Sequence, residues 1–189
     1  MIRIAVVGEI GSGKSYVANS LGLPVFDADR EVGKLYKKDK KIFHKLKKSL
    51  SKYIYSYPID KNEISSAILA KKSNLRKIVK IIHPEIRKKM NIFLIKNKKK
   101  RFVVLDIPLL LENKINKKSD ILIFVSSKKK EIDKRLRKRI NFNSKLIKRF
   151  KDIQLPLDYK KKKSNFIIHN NFTKVTIKKD ISNILKEIL

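Results

Sequence analysis

Apolar residues in this chain fall into short, nearly unbroken runs, separated by longer stretches where they recur every three or four positions. The first run, Ile2–Val7, is rich in β-branched residues and stops at Gly8, the pattern of a strand buried on both faces. From Gly13 the spacing turns helical, with Val17, Ala18 and Leu21 on one side and Gly22 and Pro24 closing the segment. LPVFDAD, residues 23–29, reads as a second short strand ending in two acids. Between Arg30 and about Asn97 every stripe is helical. Val32, Leu35 and Tyr36 form one, Phe43 and Leu46 the next, then Ile64, Ala67 and Ile68; Ile86, Met90, Phe93 and Leu94 follow Pro84. Strand-like runs return at 101–112 (RFVVLDIPLLLE), 120–127 (DILIFVSS) and 164–171 (SNFIIHNN). A basic helical stretch, about Lys128–Gln154, separates the last two. The tail carries Ile177, Ile181, Ile184, Leu185 and Ile188 on one helical face.

Near-continuous apolar strands alternating with helices predict an α/β fold with a parallel sheet covered on both faces. Five strands are expected. The 30–98 segment is too long and too helical for a loop, so a helical insertion is expected after the second strand.

Between the first strand and its helix lies Gly8-Glu9-Ile10-Gly11-Ser12-Gly13-Lys14-Ser15. It matches the phosphate-binding pattern G-x-x-x-x-G-K-[ST] at every fixed position and in the required strand–helix context. Glycines let successive backbone N–H groups converge on one anion, and the helix start adds its dipole. Lys14 is placed for the β- and γ-phosphates of a nucleotide and the Ser15 hydroxyl for Mg²⁺. A GTPase would need a guanine-reading motif after a later strand, and IFVSSKKKEID offers none. The acid-rich strand end Asp27-Ala28-Asp29 suits instead a kinase acting on a hydroxyl, which needs a carboxylate to accept or orient the acceptor's proton. Asx-type capping of the next helix is the competing use of one of these acids.

Composition narrows this further. The 189 residues carry 49 Lys and Arg against 17 Asp and Glu, a net charge of +32, with 42% hydrophobic residues and no cysteine. The hydrophobic fraction is sufficient for a folded core, and disulfides and thiolate metal sites are excluded. The excess is mostly Lys spread end to end beside abundant Ile and Asn, as an AT-rich genome encodes. Nucleic-acid sites concentrate Arg and interleave aromatics, so a nucleic-acid-dependent ATPase is the weaker alternative to a small-molecule kinase. The runs Lys160–Lys163 and Lys96–Arg101 read as solvated edges. No apolar stretch is long enough for a membrane span and no signal-peptide layout is seen, so a cytoplasmic location is expected, without membrane or specific nucleic-acid partners.

GEIGSGKS, VFDAD, HPEIRKKM, VVLDIPLLLE, KRLRKR, DIQ and FIIHNN occur in the order and spacing of dephospho-CoA kinases, and the chain resembles that family over about residues 2–171. The resemblance implies a P-loop NTPase fold of three α/β/α layers around a five-stranded parallel sheet. Residues 1–29 and 99–189 would form the core, with a basic lid at about 134–150 within it, and 30–98 the helical acceptor-binding insertion. It implies transfer of the γ-phosphoryl group of ATP to the ribose 3′-hydroxyl of dephospho-CoA, with Mg²⁺. Another nucleoside or nucleotide kinase of adenylate-kinase-like fold is the rival within that class. ATP would be held by Gly11, Ser12, Gly13, Lys14, Ser15, Tyr16, Arg135, Arg139 and Asn170. Asp29 would be the base, with Asp27 as its competitor, and Lys14 and Arg139 would act on the transferred phosphoryl. His83, Arg87, Pro108, Leu109 and Leu110 would meet the acceptor, together with Asp29; Asp106 would contact Mg²⁺ through water, and Gln154 matches a glutamine after the lid. A monomer or weak oligomer is expected. The chain departs from the family pattern at Glu9, usually Gly, at Ile140, usually Asp, and after Asn171, where a Gly is usual.

Overall fold

The computed structural model describes residues 1–140 and 142–188. In chain order the first elements are β1 (Ile2–Gly8), α1 (Lys14–Ser20), β2 (Val25–Asp27), α2 (Ala28–Lys38), α3 (Lys40–Ser49), α4 (Lys61–Ala70) and α5 (Lys72–Lys96). They are followed by β3 (Phe102–Asp106), β4 (Ile121–Ser126), α6 (Lys129–Arg137), α7 (Ser144–Lys151), α8 (Leu157–Lys163), β5 (Phe166–His169) and α9 (Lys174–Ile188). They fall into two compact units, one of residues 1–27, 97–142 and 154–189, the other of 28–96 and 143–153.

The first unit is built on a five-stranded sheet in the order β2-β3-β1-β4-β5, every pair parallel. β1 is central because its residues 4–7 are apolar on both sides and fully or nearly fully buried. Ile4, Val6, Val104, Ile123 and Val125 form one sheet face, against which Val17, Ala18 and Leu21 of the α1 segment and Ile177, Ile181 and Ile184 of α9 pack. Each buried Val, Leu or Ile in this set contributes about 1.5–3 kcal/mol of burial. Strand alternation turns Ala5, Val7, Val103 and Leu105 to the other face, and α8 packs against β1 and β4. At the lower end of the sheet Arg3 makes a two-pronged pair with Asp120, Nε to Oδ1 at 2.7 Å, tying β1 to the segment before β4.

α8 corrects one sequence expectation. Lys160 opens a run that reads as a solvated edge, yet it is almost wholly buried and its Nζ lies 2.6 Å from Glu112 Oε1. Glu112 also accepts the Leu155 N–H at 3.0 Å. A lysine head enters the interior only with such a partner, whereas Lys161, Lys162 and Lys163 stay exposed.

The second unit is helical. Asp39, Asp60 and Asn143 each accept a backbone N–H at the start of α3, α4 and α7, the ordinary chemistry of N-caps. Its interior is formed by Leu35, Ile42, Leu46, Ile54, Ile68, Leu75, Ile78 and Ile82 among others. Pro84 lies inside α5 rather than at a helix start; packing of α5 against α2, α3 and α4 offsets the lost hydrogen bond, a cost of about 3 kcal/mol in an isolated helix. The basic stretch 128–154 is two helices, not one. The second, α7, packs against α4 and is tied to the start of α5 by a 3.1 Å Lys72–Asp152 pair, so 143–153 groups with the helices, apart from α6. No helix among the described residues is long and apolar enough to cross a membrane.

The buried pair yields a prediction. Glu112→Ala leaves Lys160 charged and unpaired and should cost about 3–5 kcal/mol in denaturant unfolding, while Glu112→Leu combined with Lys160→Met should recover most of that loss. Equal stability of Glu112→Ala and the wild type would show that the lysine head reaches water.

Candidate active site

The glycine-rich loop leaves β1 at the centre of the sheet and runs into α1. Lys14 folds back along it, its Nζ donating to the Glu9 carbonyl at 2.8 Å, and the Ser12 N–H donates to the same carbonyl at 3.2 Å. Glu9, the unexpected residue of the motif, thus serves the loop through its backbone. Gly11 (φ 85°) and Gly13 (φ 93°) both require the left-handed region. They are also approached closely: a Cβ on Gly11 would lie 3.0 Å from Ile132 and Leu136 of α6, and one on Gly13 would lie 2.2 Å from Asn170 Nδ2. The Ser12 carbonyl accepts from Asn170 Nδ2 at 2.7 Å and from Ser127 Oγ at 3.0 Å. The Ser12 hydroxyl is buried without a hydrogen-bond partner among the described residues.

Acids gather beside the loop because of strand order. β3 lies between β1 and β2, and Asp106 and Asp27 are register partners at the ends of β3 and β2. Burial pushes the Asp106 carboxyl above its ordinary value; a hydrogen bond from Ser15 and the charge of Lys14 oppose this, and the charge of Asp27 adds to it. Two carboxylates and the Ser15 hydroxyl form an all-oxygen donor set, the chemistry a hard divalent cation such as Mg²⁺ prefers. No group of three or more His, Cys, Asp or Glu placed to hold a metal is found among the described residues.

Other sequence-predicted residues of this unit lie on several elements. Tyr16 is exposed on α1. Arg135, near the end of α6, holds its guanidinium 4.3 Å above the Phe172 ring, and Arg139 is exposed just beyond α6. Phe172 adopts φ 64°, the left-handed backbone that a Gly would take without strain. Pro108 and Leu109 are half-buried, Leu110 is fully buried core, and Gln154 is half-buried. Asn170 uses both ends of its amide within the fold, since its Oδ1 accepts the Phe172 N–H at 2.7 Å while Nδ2 holds Ser12. Ser127 escaped the sequence reading; a serine after a strand carries no signal of what its hydroxyl meets.

In the helical unit Asp29 is exposed in the first turn of α2. Its charge, after burial, helps to push the Tyr36 hydroxyl upward. His83 and Arg87 sit one turn apart on α5, a spacing that puts both on one helix face; His83 is half-buried and Arg87 exposed.

A dephospho-CoA kinase family model matches residues 2–175. The dephospho-CoA kinase of Wolbachia pipientis wMel is 33% identical over 190 residues, covering 98% of this chain and 97% of that protein. Among solved structures, one from Thermus thermophilus has a TM-score of 0.77 at 23% identity, covering 100% of this chain and 98% of that one. The dephospho-CoA kinase of Campylobacter jejuni has a TM-score of 0.62 at 23% identity with the same coverage. The fold likeness and the full-length sequence match agree with the phosphate loop and its acids, and the chain belongs to the dephospho-CoA kinase family.

Proposed function

We propose that this chain transfers the γ-phosphoryl group of ATP to the ribose 3′-hydroxyl of dephospho-CoA, forming coenzyme A, and that it acts in the cytoplasm as a monomer or weak oligomer. The observation that carries the reading is the phosphate loop beside the paired Asp27 and Asp106 strand ends, in a chain that matches the family over residues 2–175.

Roles follow from charge and position. Backbone N–H groups of Gly11–Ser15 bind the phosphates, and Lys14 neutralises charge on the β- and γ-phosphates. Ser15 and, through water, Asp106 would hold Mg²⁺, which would supply positive charge to offset that of the phosphates. Asp29 accepts the proton of the acceptor hydroxyl, with Asp27 as the competing base. Asp29 is exposed to solvent, whereas Asp27 adds charge to the Asp106 site. Arg139 stabilises the oxygens of the transferred phosphoryl. Arg135 and Tyr16 flank the nucleotide, and His83, Arg87, Pro108 and Leu109 meet the acceptor. Leu110 supports that wall from the core, and Gln154 borders the segment after the lid.

The direct test is turnover of ATP and Mg²⁺ with dephospho-CoA against a panel of nucleosides; coenzyme A should form, and turnover confined to a nucleoside would overturn the reading. Asp29→Asn should lower kcat about 10²–10⁴-fold with little change in the KM for ATP, and a near-normal rate would move the base to Asp27. Lys14→Ala should impair both kcat and KM.

Asp106 makes a prediction of opposite sign for stability and activity. Its folded-state value lies above the ordinary 3.8, so its favourable contribution is complete below that pH and is lost as pH rises through the raised value. Above that value the ionised, buried group is a burden on the nucleotide-free protein. Asp106→Asn should therefore melt higher than the wild type at pH 7, with the difference narrowing toward pH 4, and should weaken Mg²⁺ roughly 10–100-fold. A lower melting temperature at pH 7 would show the carboxylate to be favourably paired without metal.

A further inference from the structure

We propose that Asn170 and Ser127 are positioning residues that hold the phosphate loop ready for the nucleotide by fixing the direction of one peptide, Ser12–Gly13. This deepens the reading of the loop as the ATP phosphate site and rests on it.

A trans peptide is planar, and its C=O and N–H point in opposite directions. Whatever holds the Ser12 carbonyl therefore aims the Gly13 N–H. That carbonyl accepts two hydrogen bonds, from Asn170 Nδ2 at 2.7 Å and from Ser127 Oγ at 3.0 Å, which fills both of its lone pairs. Both donors come from outside the loop. Ser127 follows β4, and Asn170 follows β5. They draw the carbonyl outward, toward the ends of those strands, and leave the N–H directed into the curl between β1 and α1.

Asn170 is itself held. Its backbone N–H donates to the Ser126 carbonyl at 2.8 Å, its Oδ1 accepts from the Phe172 N–H at 2.7 Å, and the residue is 3% exposed. The amide orientation follows from these partners, since the oxygen faces an N–H and the nitrogen faces a carbonyl. Gly13 completes the arrangement: Asn170 Nδ2 occupies the place of a Cβ, 2.2 Å from where one would stand. The motif glycine is thus needed for the neighbour that pins the loop as well as for its own φ of 93°.

The functional consequence is electrostatic. With the peptide turned the other way, the loop would present a carbonyl oxygen to phosphate instead of a donor. Fixing the peptide during folding removes that reorganisation from the binding step. The family resemblance implies that Asn170 touches ATP itself, for instance at the base; with one Nδ2 hydrogen and one Oδ1 lone pair used within the fold, only the remaining hydrogen or lone pair could serve such a contact.

The two roles separate by experiment. Binding of tripolyphosphate, ATP and GTP, each with Mg²⁺, is measured by calorimetry on the full-length wild type, Asn170→Ala, Ser127→Ala and the double variant, with steady-state KM values alongside. Asn170→Ala should weaken ATP and tripolyphosphate by the same factor, roughly five- to tenfold, leaving the ATP-to-GTP preference and the KM for dephospho-CoA unchanged. Ser127→Ala, where Asn170 still holds the carbonyl, should lose only about twofold, and the double variant should lose more than the product of the two. A loss for ATP with unchanged tripolyphosphate binding, an altered ATP-to-GTP preference, or strictly multiplicative losses would overturn the proposal. Should Asn170→Ala fail to fold, Ser127→Ala paired with Asn170→Ser gives the same comparison. Tripolyphosphate binding reads the loop even if the wild type forms no coenzyme A, so failure of the pin and failure of the proposed reaction are told apart.

Discussion

Asp106 is a carboxylate buried at a strand end, next to a loop that exists to hold an anion, and the rest of the site answers that conflict. Burial alone disfavours its charge, and Asp27, its register partner on β2, disfavours it further. Lys14 and Ser15, from the loop on the other neighbouring strand, act in the opposite direction. The balance is left incomplete. The raised Asp106 value shows that burial and Asp27 outweigh Lys14 and Ser15, and a divalent cation would act in the same direction as Lys14.

That balance depends on strand order. Placing β1 between β3 and β4 brings the loop between two strand ends of different chemistry. On the β3 side stand the acids. On the β4–β5 side stand neutral donors, Ser127 and Asn170, which grip the Ser12 carbonyl. Acidic groups on both sides would repel the phosphates, and donors on both sides would leave the cation without oxygens. The loop is therefore contacted from two directions by residues far from it in sequence, and only Gly8, Gly13, Lys14 and Ser15 are fixed by the motif.

This explains what could be read in the chain. The five strands, the helical insertion and the phosphate loop were legible because each is a local pattern: an apolar run, a 3.6-residue period, a set of glycine spacings. Lys160 was not, because a buried lysine differs from its exposed neighbours Lys161–Lys163 only through Glu112, forty-eight residues earlier in a different segment. The helical stripe is legible only after Pro84, whereas α5 runs through it, because a proline inside a helix is tolerated only when tertiary packing outweighs its local cost. Ser127 was invisible for a related reason: its importance lies in the one carbonyl it meets. Asn170 was found but read toward a ligand, while its amide faces the loop and the Phe172 backbone.

The scarcity of acids makes the same point in another form. With 49 basic residues against 17 acidic ones, a lysine says little about its position, because most lysines stand in solvent and serve equally well anywhere on the surface. An acid in such a background is more informative. Asp39 and Asp60 cap helices, and Glu63 accepts the Tyr55 and Ser56 N–H groups. Asp120 and Glu112 neutralise buried cations, and Asp27 and Asp106 stand side by side at the ends of β2 and β3. Where composition has shifted toward one sign of charge, a side chain of the opposite sign persists at little advantage on the surface and at large advantage wherever a specific donor or cation must be met. The excess positive field then has a use that requires no dedicated site, since it raises the encounter rate with polyphosphate substrates over a range set by the Debye length, about 8 Å at physiological salt. Specific recognition is left to the few acids and the oriented peptides of the loop.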